Sequence, residues 1–595
     1  MASINKMETA LNQGGLVTLK RQTMQHLLDS LNRDEADKMV LDALYPDKQE
    51  WQALLNQFIS HVDEKELLEL ETTLAGDPVT YCHSELNKPV CELTELEKTF
   101  SSVNIPEFPV ETGTYVQYLR EDILNHVIPV SSPAFVGHMT SALPTHLPAL
   151  GKILTALNQN LVKLETSHVL TALERQVLGM MHKLIYNRDD DFYQQWLHNG
   201  DHALATFCSG GTLANLTAMW ACRNQLMPAK GDFAGIAREG LARGLIHYGY
   251  SGLAILVSEL GHYSLKKTVD VLGLGQDALV KVDTDKDGRI CIDALRAQLQ
   301  NLRQHNIKPM AIVGIAGTTE TGAIDPLNVL ADIAEQEQCH FHVDAAWGGA
   351  SLLSERYRHL FKGIERADTV TIDAHKQMYV PMGSGMVLFR QPALADAIAQ
   401  HANYIVRKGS KDLGRHTLEG SRSAMSLMLH SNFYLLGRRG LGHLIDAGID
   451  KAKQFADLIR QQEDFELISE PQLCLLTYRY VPRAVLQRLR EEAEPVRQKL
   501  NEALNALNQN IQTMQWAAGK TFVSRTCLHP VQWSRQPTIV FRVVLANPLT
   551  TPEILENMLE EQCRLAQQSP YWQVLQDLCP IDLKRQHNSK CANSL

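Results

Sequence analysis

Between His342 and Gly385 the chain reads HVDAAWGGA (342–350), then an amphipathic connector, then TVTIDAHKQMYVPMGSG (369–385). Phe341 to Asp344 has the pattern of a short strand ending on an acid, and small residues follow at once: Ala345, Ala346, Gly348 and Gly349. In open α/β sheets, ligands sit in the crevice outside the carboxyl ends of the strands. Asp344 is therefore expected to face such a crevice, where the small residues let something flat approach. Thr369 to Ile372 is a second strand pattern, and it delivers Asp373, His375 and Lys376 to the turn beyond it.

Singly, these residues have plain explanations. An Asp at a strand end commonly forms a turn or caps a helix, and a lone Lys is a solvated charge. Together they meet the needs of pyridoxal 5'-phosphate, whose ring nitrogen takes a carboxylate partner and whose aldehyde takes a lysine as a Schiff base. HVDAAWGG and DAHKQ together resemble the group II pyridoxal-phosphate decarboxylases, a family that includes glutamate, cysteine-sulfinate, aspartate and aromatic amino-acid decarboxylases. The resemblance runs from near Phe135 to the region of Arg542, with the motifs in the family's order. It implies an α/β protein of fold-type I pyridoxal-phosphate transferase architecture: a mostly parallel sheet flanked by helices, with a smaller α+β C-terminal domain. The expected divisions are a helical extension and pocket segment (1–155), a large cofactor-binding domain (156–435) and a small domain (436–595).

Composition agrees with a globular enzyme. The 595 residues leave room for several domains, and 44% hydrophobic with 21% charged residues is ordinary for a folded chain rather than a disordered one. A net charge of −10, without any Lys/Arg run, argues against non-specific nucleic-acid binding. The start, MASINKMETALNQGG, lacks the apolar core of a signal peptide, and no uninterrupted apolar run is long enough to span a bilayer. Eleven cysteines without a CxxC pair read as reduced thiols, hence a cytoplasmic location.

Residues 1 to about 105 form a polar leader with amphipathic stripes at Leu27, Leu28 and Leu31, at Leu54, Leu55 and Phe58, and at Leu67, Leu68 and Leu70. Cys82, His83 and Cys91 would be half a metal site, and no second half follows. The loop PVSSPAFVGHMTSALPTHLP (129–148) matches the family's pocket loop, which makes Phe135 and His138 candidate substrate contacts. A turn-rich linker with a buried His is the alternative reading. Animal glutamate decarboxylases carry Asn-Gln where Gly137-His138 stand here. Leu161 to Tyr186 reads as one long helix whose polar face carries Glu165, Glu174 and Arg175.

Ala205 to Thr212 is a strand running into a Gly-rich turn, and helix follows. Such a helix N-terminus offers free N–H groups and a favourable dipole to an anion. SGGT resembles the family's phosphate-gripping turn, which makes Gly211 and the Thr212 hydroxyl the phosphate ligands. Strand Ala254–Ser258 leads to His262, which resembles the family's histidine over the pyridine ring, with Ala346 on the opposite face. A simple helix cap is the other reading of His262. Asp283, Asp285, Asp287 and Gly288 imitate a calcium loop, yet its twelfth position is Ala294 where a bidentate Glu is required, so a turn after a strand is expected. His342 and Asp344 share a strand face, but no third ligand follows at zinc-like spacing, and no metal is expected.

The remaining roles come from the resemblance. Thr318, in the GTT that follows strand Met310–Ala316, would lie near the cofactor's phenolic oxygen, and His375 would touch the cofactor beside Lys376. Tyr404, in a Lys/Gly/Ser-rich loop read as a mobile lid, would protonate the carbanion left by carbon dioxide. Arg542, in TIVFRVVLANP, would hold the substrate α-carboxylate with a bidentate fork. The family implies an obligate homodimer acting on a small-molecule amino acid. The wording TIDAHKQMYVPMGSG, Gly137-His138 and the long leader are most like the family's bacterial members that make β-alanine, a pantothenate and coenzyme A precursor, from L-aspartate. Glutamate decarboxylation to GABA is the alternative, and another pyridoxal-phosphate lyase reaction a third reading. His138, able to become cationic beside a carboxylate, is expected to shorten the pocket toward aspartate. One departure stands out: the family's usual Asn-Pro before His-Lys is Asp373-Ala374 here.

Overall fold

The computed structural model describes residues 65–76, 92–106, 110–402, 406, 407 and 409–579, in two separate units divided near residue 127. The first unit contains helices Lys65–Glu71, Leu93–Thr99 and Thr112–Tyr118, and the ring of Tyr118 lies 6.3 Å from that of Tyr115 and 6.4 Å from that of Phe100. Leu70 is buried there, whereas Leu67 and Leu68 are exposed. The two earlier stripes and the Cys82, His83 and Cys91 group lie outside the described residues.

The second unit is built on a seven-stranded sheet in the order β1-β7-β6-β5-β4-β2-β3. Its strands are β1 (Ala205–Cys208), β2 (Gly252–Ser258), β3 (Leu279–Val282), β4 (Ile307–Ile315), β5 (His340–Asp344), β6 (Thr369–Asp373) and β7 (Gly385–Phe389). Neighbours from β3 through β6 pair in parallel, and β7 pairs antiparallel with both β6 and β1. Near-continuous apolar runs such as GLAILVS suit strands covered on both faces. The period of two sorts their residues into two cores: Ala254, Leu256, Ile312, Met386 and Leu388 enter one, and Ile255, Val257, Val313, Val387 and Phe389 the other.

A smaller sheet, all antiparallel in the order β10-β11-β9-β8, follows. It comprises β8 (Phe465–Ser469), β9 (Leu475–Tyr480), β10 (Ser524–Leu528) and β11 (Thr538–Val544). Helices Gly437–Gln461, Glu494–Ala518 and Pro552–Gln568 cover it, and Phe455, Tyr478, Leu504, Phe541 and Met558 share its core. Residues 128–155, grouped with the N-terminal extension on sequence, pack within the second unit instead. Val136 joins the small-sheet core, and Met139 and Leu147 join the large-sheet core.

The single helix expected over 161–186 is two, Leu164–Ser167 and Val169–Tyr186, broken at His168 where φ is +38°. Ser167 Oγ donates to Lys163 O at 2.9 Å and sits 2.6 Å from Thr171 Oγ1, and such local side-chain bonds compete with helix continuation. Glu174 is not on a polar face. It is fully buried and paired with Arg422, whose Nη1 donates to Glu174 Oε2 at 2.7 Å. The Asp283–Gly288 stretch is a turn in which Asp285 Oδ1 accepts from Asp287 N at 2.9 Å and from Arg289 N at 3.0 Å.

Candidate active site

The carboxyl ends of β1, β2, β4, β5 and β6 open on one cavity of about 550 Å³, walled also by His138, Thr140 and Arg542 from loop 128–146 and β11. This is where the crossover connections of a parallel sheet leave room for a ligand.

Asp344 closes β5 and is nearly buried. Its Oδ1 accepts from Ala346 N at 3.1 Å, and its Oδ2 accepts from Asn215 Nδ2 at 2.9 Å. Asn215, on helix Gly211–Leu226, also donates to Ser264 Oγ at 3.1 Å, and its Oδ1 lies 3.1 Å from His342 Nε2. His342 Nδ1 is 2.8 Å from Thr369 Oγ1, which is 2.7 Å from His340 Nε2. Burial pushes His342 down to about 4, so the ring is neutral at pH 7. With Nε2–H donating to Asn215 and Nδ1 accepting from Thr369, the chain of bonds fixes which end of the Asn215 amide faces Asp344. The shared face of His342 and Asp344 thus serves to orient a carboxylate.

The turn Ser209–Gly211 starts helix Gly211–Leu226, and Ser209 N donates to Glu419 Oε2 at 3.0 Å. No protein acceptor binds the N–H groups of Gly211 and Thr212 among the described residues, and both residues line the cavity. A Cβ on Gly211 would lie 2.8 Å from Asp373 Oδ2 and 3.2 Å from Ala346 Cβ, so only glycine allows this approach. Lys376 Nζ reaches into the same cavity, 3.1 Å from Asp373 Oδ2. His375 Nε2 is 3.6 Å from that oxygen, and burial holds the ring below its usual value.

His262 and Ala346 both border the cavity. Ser264 N donates to His262 Nδ1 at 3.2 Å, leaving Nε2 as the protonated nitrogen, and burial favours this neutral form. Arg542 enters from β11. Its Nε donates to Thr319 O at 2.5 Å, and Nη1 donates to Gly137 O and Ser524 Oγ at 3.2 Å each. Nη2 has no such acceptor among the described residues. Burial lowers Arg542 to about 10, opposed by Glu320, and it remains a cation at neutral pH. Gly137 is required here, because a Cβ would fall 2.4 Å from Phe522 Cε1 and 2.5 Å from Ser524 N.

Three expectations change. Thr318 is fully buried and turned away from the cavity. Its hydroxyl lies 2.7 Å from Thr321 Oγ1 and accepts from Ala323 N at 3.1 Å, and Gly317 and Thr319 line the wall instead. Phe135 stacks on Phe522 with ring centres 4.8 Å apart and does not reach the cavity wall. His138 does reach it, but burial first, then Arg542 and Lys376, push its pKa down, so its ring is neutral rather than cationic. Its Nδ1 accepts from Thr140 N at 3.3 Å, which leaves Nε2–H as a donor. Tyr404 lies outside the described residues.

Sequence reasoning passed over Asn215, Thr319 and Tyr263, all of which border the cavity. Asn215 had no signal, since its helix reads as uniformly core-forming. Thr319 was within reach, because adjacent residues at a strand end face opposite ways.

Residues 100–481 match the model of the pyridoxal-dependent decarboxylase conserved domain. An aspartate 1-decarboxylase of Aliivibrio fischeri is 57% identical over 477 residues, spanning 80% of this chain and 87% of that protein. An L-2,4-diaminobutyrate decarboxylase of Rhizobium meliloti is 28% identical over 463 residues, spanning 77% of this chain and 82% of its own. The crystal structure of mouse CSAD in apo form superposes with a TM-score of 0.72 at 25% identity, covering 84% of this chain and 98% of that one.

Proposed function

The chain belongs to the pyridoxal-dependent decarboxylase family, and from that premise we propose that it converts L-aspartate to β-alanine and carbon dioxide. The observation that carries the choice of substrate is the 57% identity to an aspartate 1-decarboxylase across four-fifths of the chain. The cavity supports it, being of small-molecule size and bordered by Arg542, Lys376 and the His138 donor, groups suited to a dicarboxylate.

Pyridoxal 5'-phosphate, when bound, supplies an electron sink for the bond that breaks to release carbon dioxide. The residues fit that group. Asp344, steadied by Asn215 and Ala346 N–H, would hold a proton at the pyridine nitrogen, since a neighbouring carboxylate favours the cationic form. Gly211 and Thr212 would bind the phosphate at the helix N-terminus. Lys376 would hold the aldehyde carbon and give way to the substrate amine, and His375 would support it. His262 and Ala346 would cover the two faces of the ring. Arg542 would fix the α-carboxylate through Nη2, and the His138 Nε2–H would accommodate the distal carboxylate, because an unpaired buried carboxylate is costly. Tyr404 is the proposed proton donor to the α-carbon after carbon dioxide leaves.

The working unit in this reading is a cytoplasmic homodimer with its site at the subunit boundary, and its product would feed pantothenate and coenzyme A synthesis. Exposed Ile153 and Leu157 on helix Leu147–Leu157, with Tyr434 and Leu435 on helix Ser426–Leu435, are apolar surface that a second copy would cover. Among the described residues no helix is long and apolar enough to cross a membrane.

The test is to incubate the purified protein separately with aspartate, glutamate, cysteine sulfinate and 2,4-diaminobutyrate and to identify each amine by mass. β-Alanine from aspartate, formed faster than any other product, is expected. GABA as the main product would overturn the reading.

A further inference from the structure

The two groups that the proposed reaction needs at one carbon stand on different sheets. Lys376 lies in the turn after β6, and Arg542 lies on β11 of the small sheet. In the reading above, the substrate amine takes the place of Lys376 and the α-carboxylate binds Arg542. The direction in which the bond to that carboxylate is held therefore depends on what joins the turn to the strand. Tyr379 joins them. Its N–H donates to Lys376 O at 3.3 Å, closing the turn that the lysine opens. Its phenol, buried in the core, donates to Ala546 O at 2.9 Å, four residues beyond Arg542. Beside it, Cys474 Sγ donates to Gln377 Oε1 at 3.5 Å, and Leu545 N donates to Cys474 O at 2.7 Å. Residues 377–379 thus grip the entry of β9 and the exit of β11.

The backbone is strained to make this grip. Tyr379 has φ +55°, in the left-handed region that bulky L residues seldom adopt. Glycine would take that conformation freely, but it has no hydroxyl to reach Ala546. Asn432 holds the strained residue in place. Its Nδ2 donates to Met378 O at 2.8 Å and to Tyr379 O at 3.0 Å, and its Oδ1 lies 2.9 Å from His146 Nε2. Burial raises the pKa of the phenol, so the hydroxyl keeps the proton it donates. Filling the core does not call for such a conformation, and strain that persists beside an active site marks a constraint on geometry.

We propose that Tyr379 is a positioning residue that sets Arg542 against Lys376, and through them the direction in which the substrate's α-carboxylate is held. The inference rests on the reading in which the substrate amine displaces Lys376 and Arg542 binds that carboxylate. Tyr379 does not line the cavity, so its effect passes through the two groups it joins. Without the phenol, β11 and the Lys376 turn keep their own folds but lose their shared register. The amine anchor and the carboxylate anchor then move independently, and a misplacement of about 1 Å can cost about 10²-fold in rate.

The experiment uses the full chain loaded with pyridoxal 5'-phosphate, as wild type, Tyr379→Phe, Arg542→Lys and the double variant. Turnover of aspartate is measured beside inhibition by β-alanine, which has the amine and the distal carboxylate but no α-carboxylate to place on Arg542. Borohydride reduction with peptide mapping reports the cofactor on Lys376. In Tyr379→Phe, kcat/KM for aspartate should fall by about 10–10²-fold. The β-alanine inhibition constant, the cofactor occupancy and the Lys376 adduct should stay as in the wild type. In the Arg542→Lys background the same substitution should cost less than about threefold, because residues that act through one another are not additive. Full aspartate activity in Tyr379→Phe would overturn the role, as would equal losses for aspartate and β-alanine, or losses that multiply with those of Arg542→Lys. A Tyr379→Phe chain that fails to fold in urea titration would make the residue a core element alone and overturn it too. Unchanged aspartate kinetics in Arg542→Lys, or an adduct away from Lys376, would remove the underlying reading and this inference with it. An effect of Arg542→Lys without one of Tyr379→Phe removes only the role of Tyr379.

Discussion

Asp344→Asn tests the proposed role of Asp344 at the ring nitrogen with little change of shape. Its two oxygens accept from Ala346 N at 3.1 Å and from Asn215 Nδ2 at 2.9 Å. An amide has one acceptor, so if its oxygen stays on Ala346 N–H its NH₂ meets the NH₂ of Asn215. Flipping Asn215 moves the conflict outward, because its NH₂ then faces the Nε2–H of His342, and the ring must change tautomer. Hydrogen bonds to a charged group are worth about 1.5–3 kcal/mol each, so losing one and weakening the other should cost roughly 2–4 kcal/mol of stability. The catalytic loss is larger. A preorganised electrostatic contribution in a sequestered site is worth about 3 kcal/mol or more, about 10²-fold at 1.36 kcal/mol per decade. With Asn215 displaced as well, kcat should fall by about 10²–10⁴-fold while the cofactor still binds. The assay pairs carbon dioxide release with cofactor absorbance and thermal melting. A kcat within about tenfold of wild type at full cofactor occupancy would refute the role, as would a variant that folds but has lost the cofactor.

Lys376→Ala should abolish turnover and the borohydride-trappable adduct while the chain still folds, and an adduct persisting at another lysine would contradict this. His138→Gln should erode the preference for aspartate over glutamate, read as the ratio of the two kcat/KM values. A one-methylene discrimination is worth about 1–3 kcal/mol, and an unchanged ratio would remove His138 from specificity. Burial holds His182, His342 and His416 down to about 4, below the ordinary 6.5. Their folded values lie below their unfolded ones, so the stability they confer is complete above pH 6.5 and lost as pH falls toward 4. The urea midpoint should fall across that window, and a flat profile would show that these rings do not remain neutral in the fold. Glu174→Gln strands the buried Arg422 guanidinium and should cost about 3–5 kcal/mol, measured by denaturant unfolding, whereas a loss under 1 kcal/mol would show that water reaches the pair.

What could be read from the sequence follows from where each residue sits. The cavity positions of Asp344, Asp373 and Lys376 were legible because strand patterns end on or just before them, and a parallel sheet aims such ends at one crevice. The place of the Gly210-Gly211 turn on the cavity wall was legible because a strand, glycines and a helix in that order leave free N–H groups at a strand's carboxyl end. Thr318 went wrong by one position: the hairpin-like return to Ala323 takes its hydroxyl inward, and its neighbour Thr319 presents a carbonyl to Arg542. The break at His168 and the burial of Glu174 escaped because helical periodicity does not reveal partners such as Arg422, 248 positions away.

Charge state was harder to read than position. An imidazole on a pocket loop invites the assumption of a cation, yet burial first, and then the charges of Arg542 and Lys376 in the same cavity, hold His138 below its usual value. This changes how aspartate selectivity would work. A neutral Nε2–H donor recognises a carboxylate by distance and direction, so its contribution should not vary above pH 6.5, whereas a cationic His138 would bind the distal carboxylate progressively less well as pH rises through its pKa. The ratio of kcat/KM for aspartate and glutamate between pH 6.5 and 8.5 separates the two, because groups common to both substrates cancel. A constant ratio is expected. A steady fall in aspartate preference would mean that substrate binding restores the proton that burial, with Arg542 and Lys376, drives off, and would return His138 to the cationic role its position first suggested.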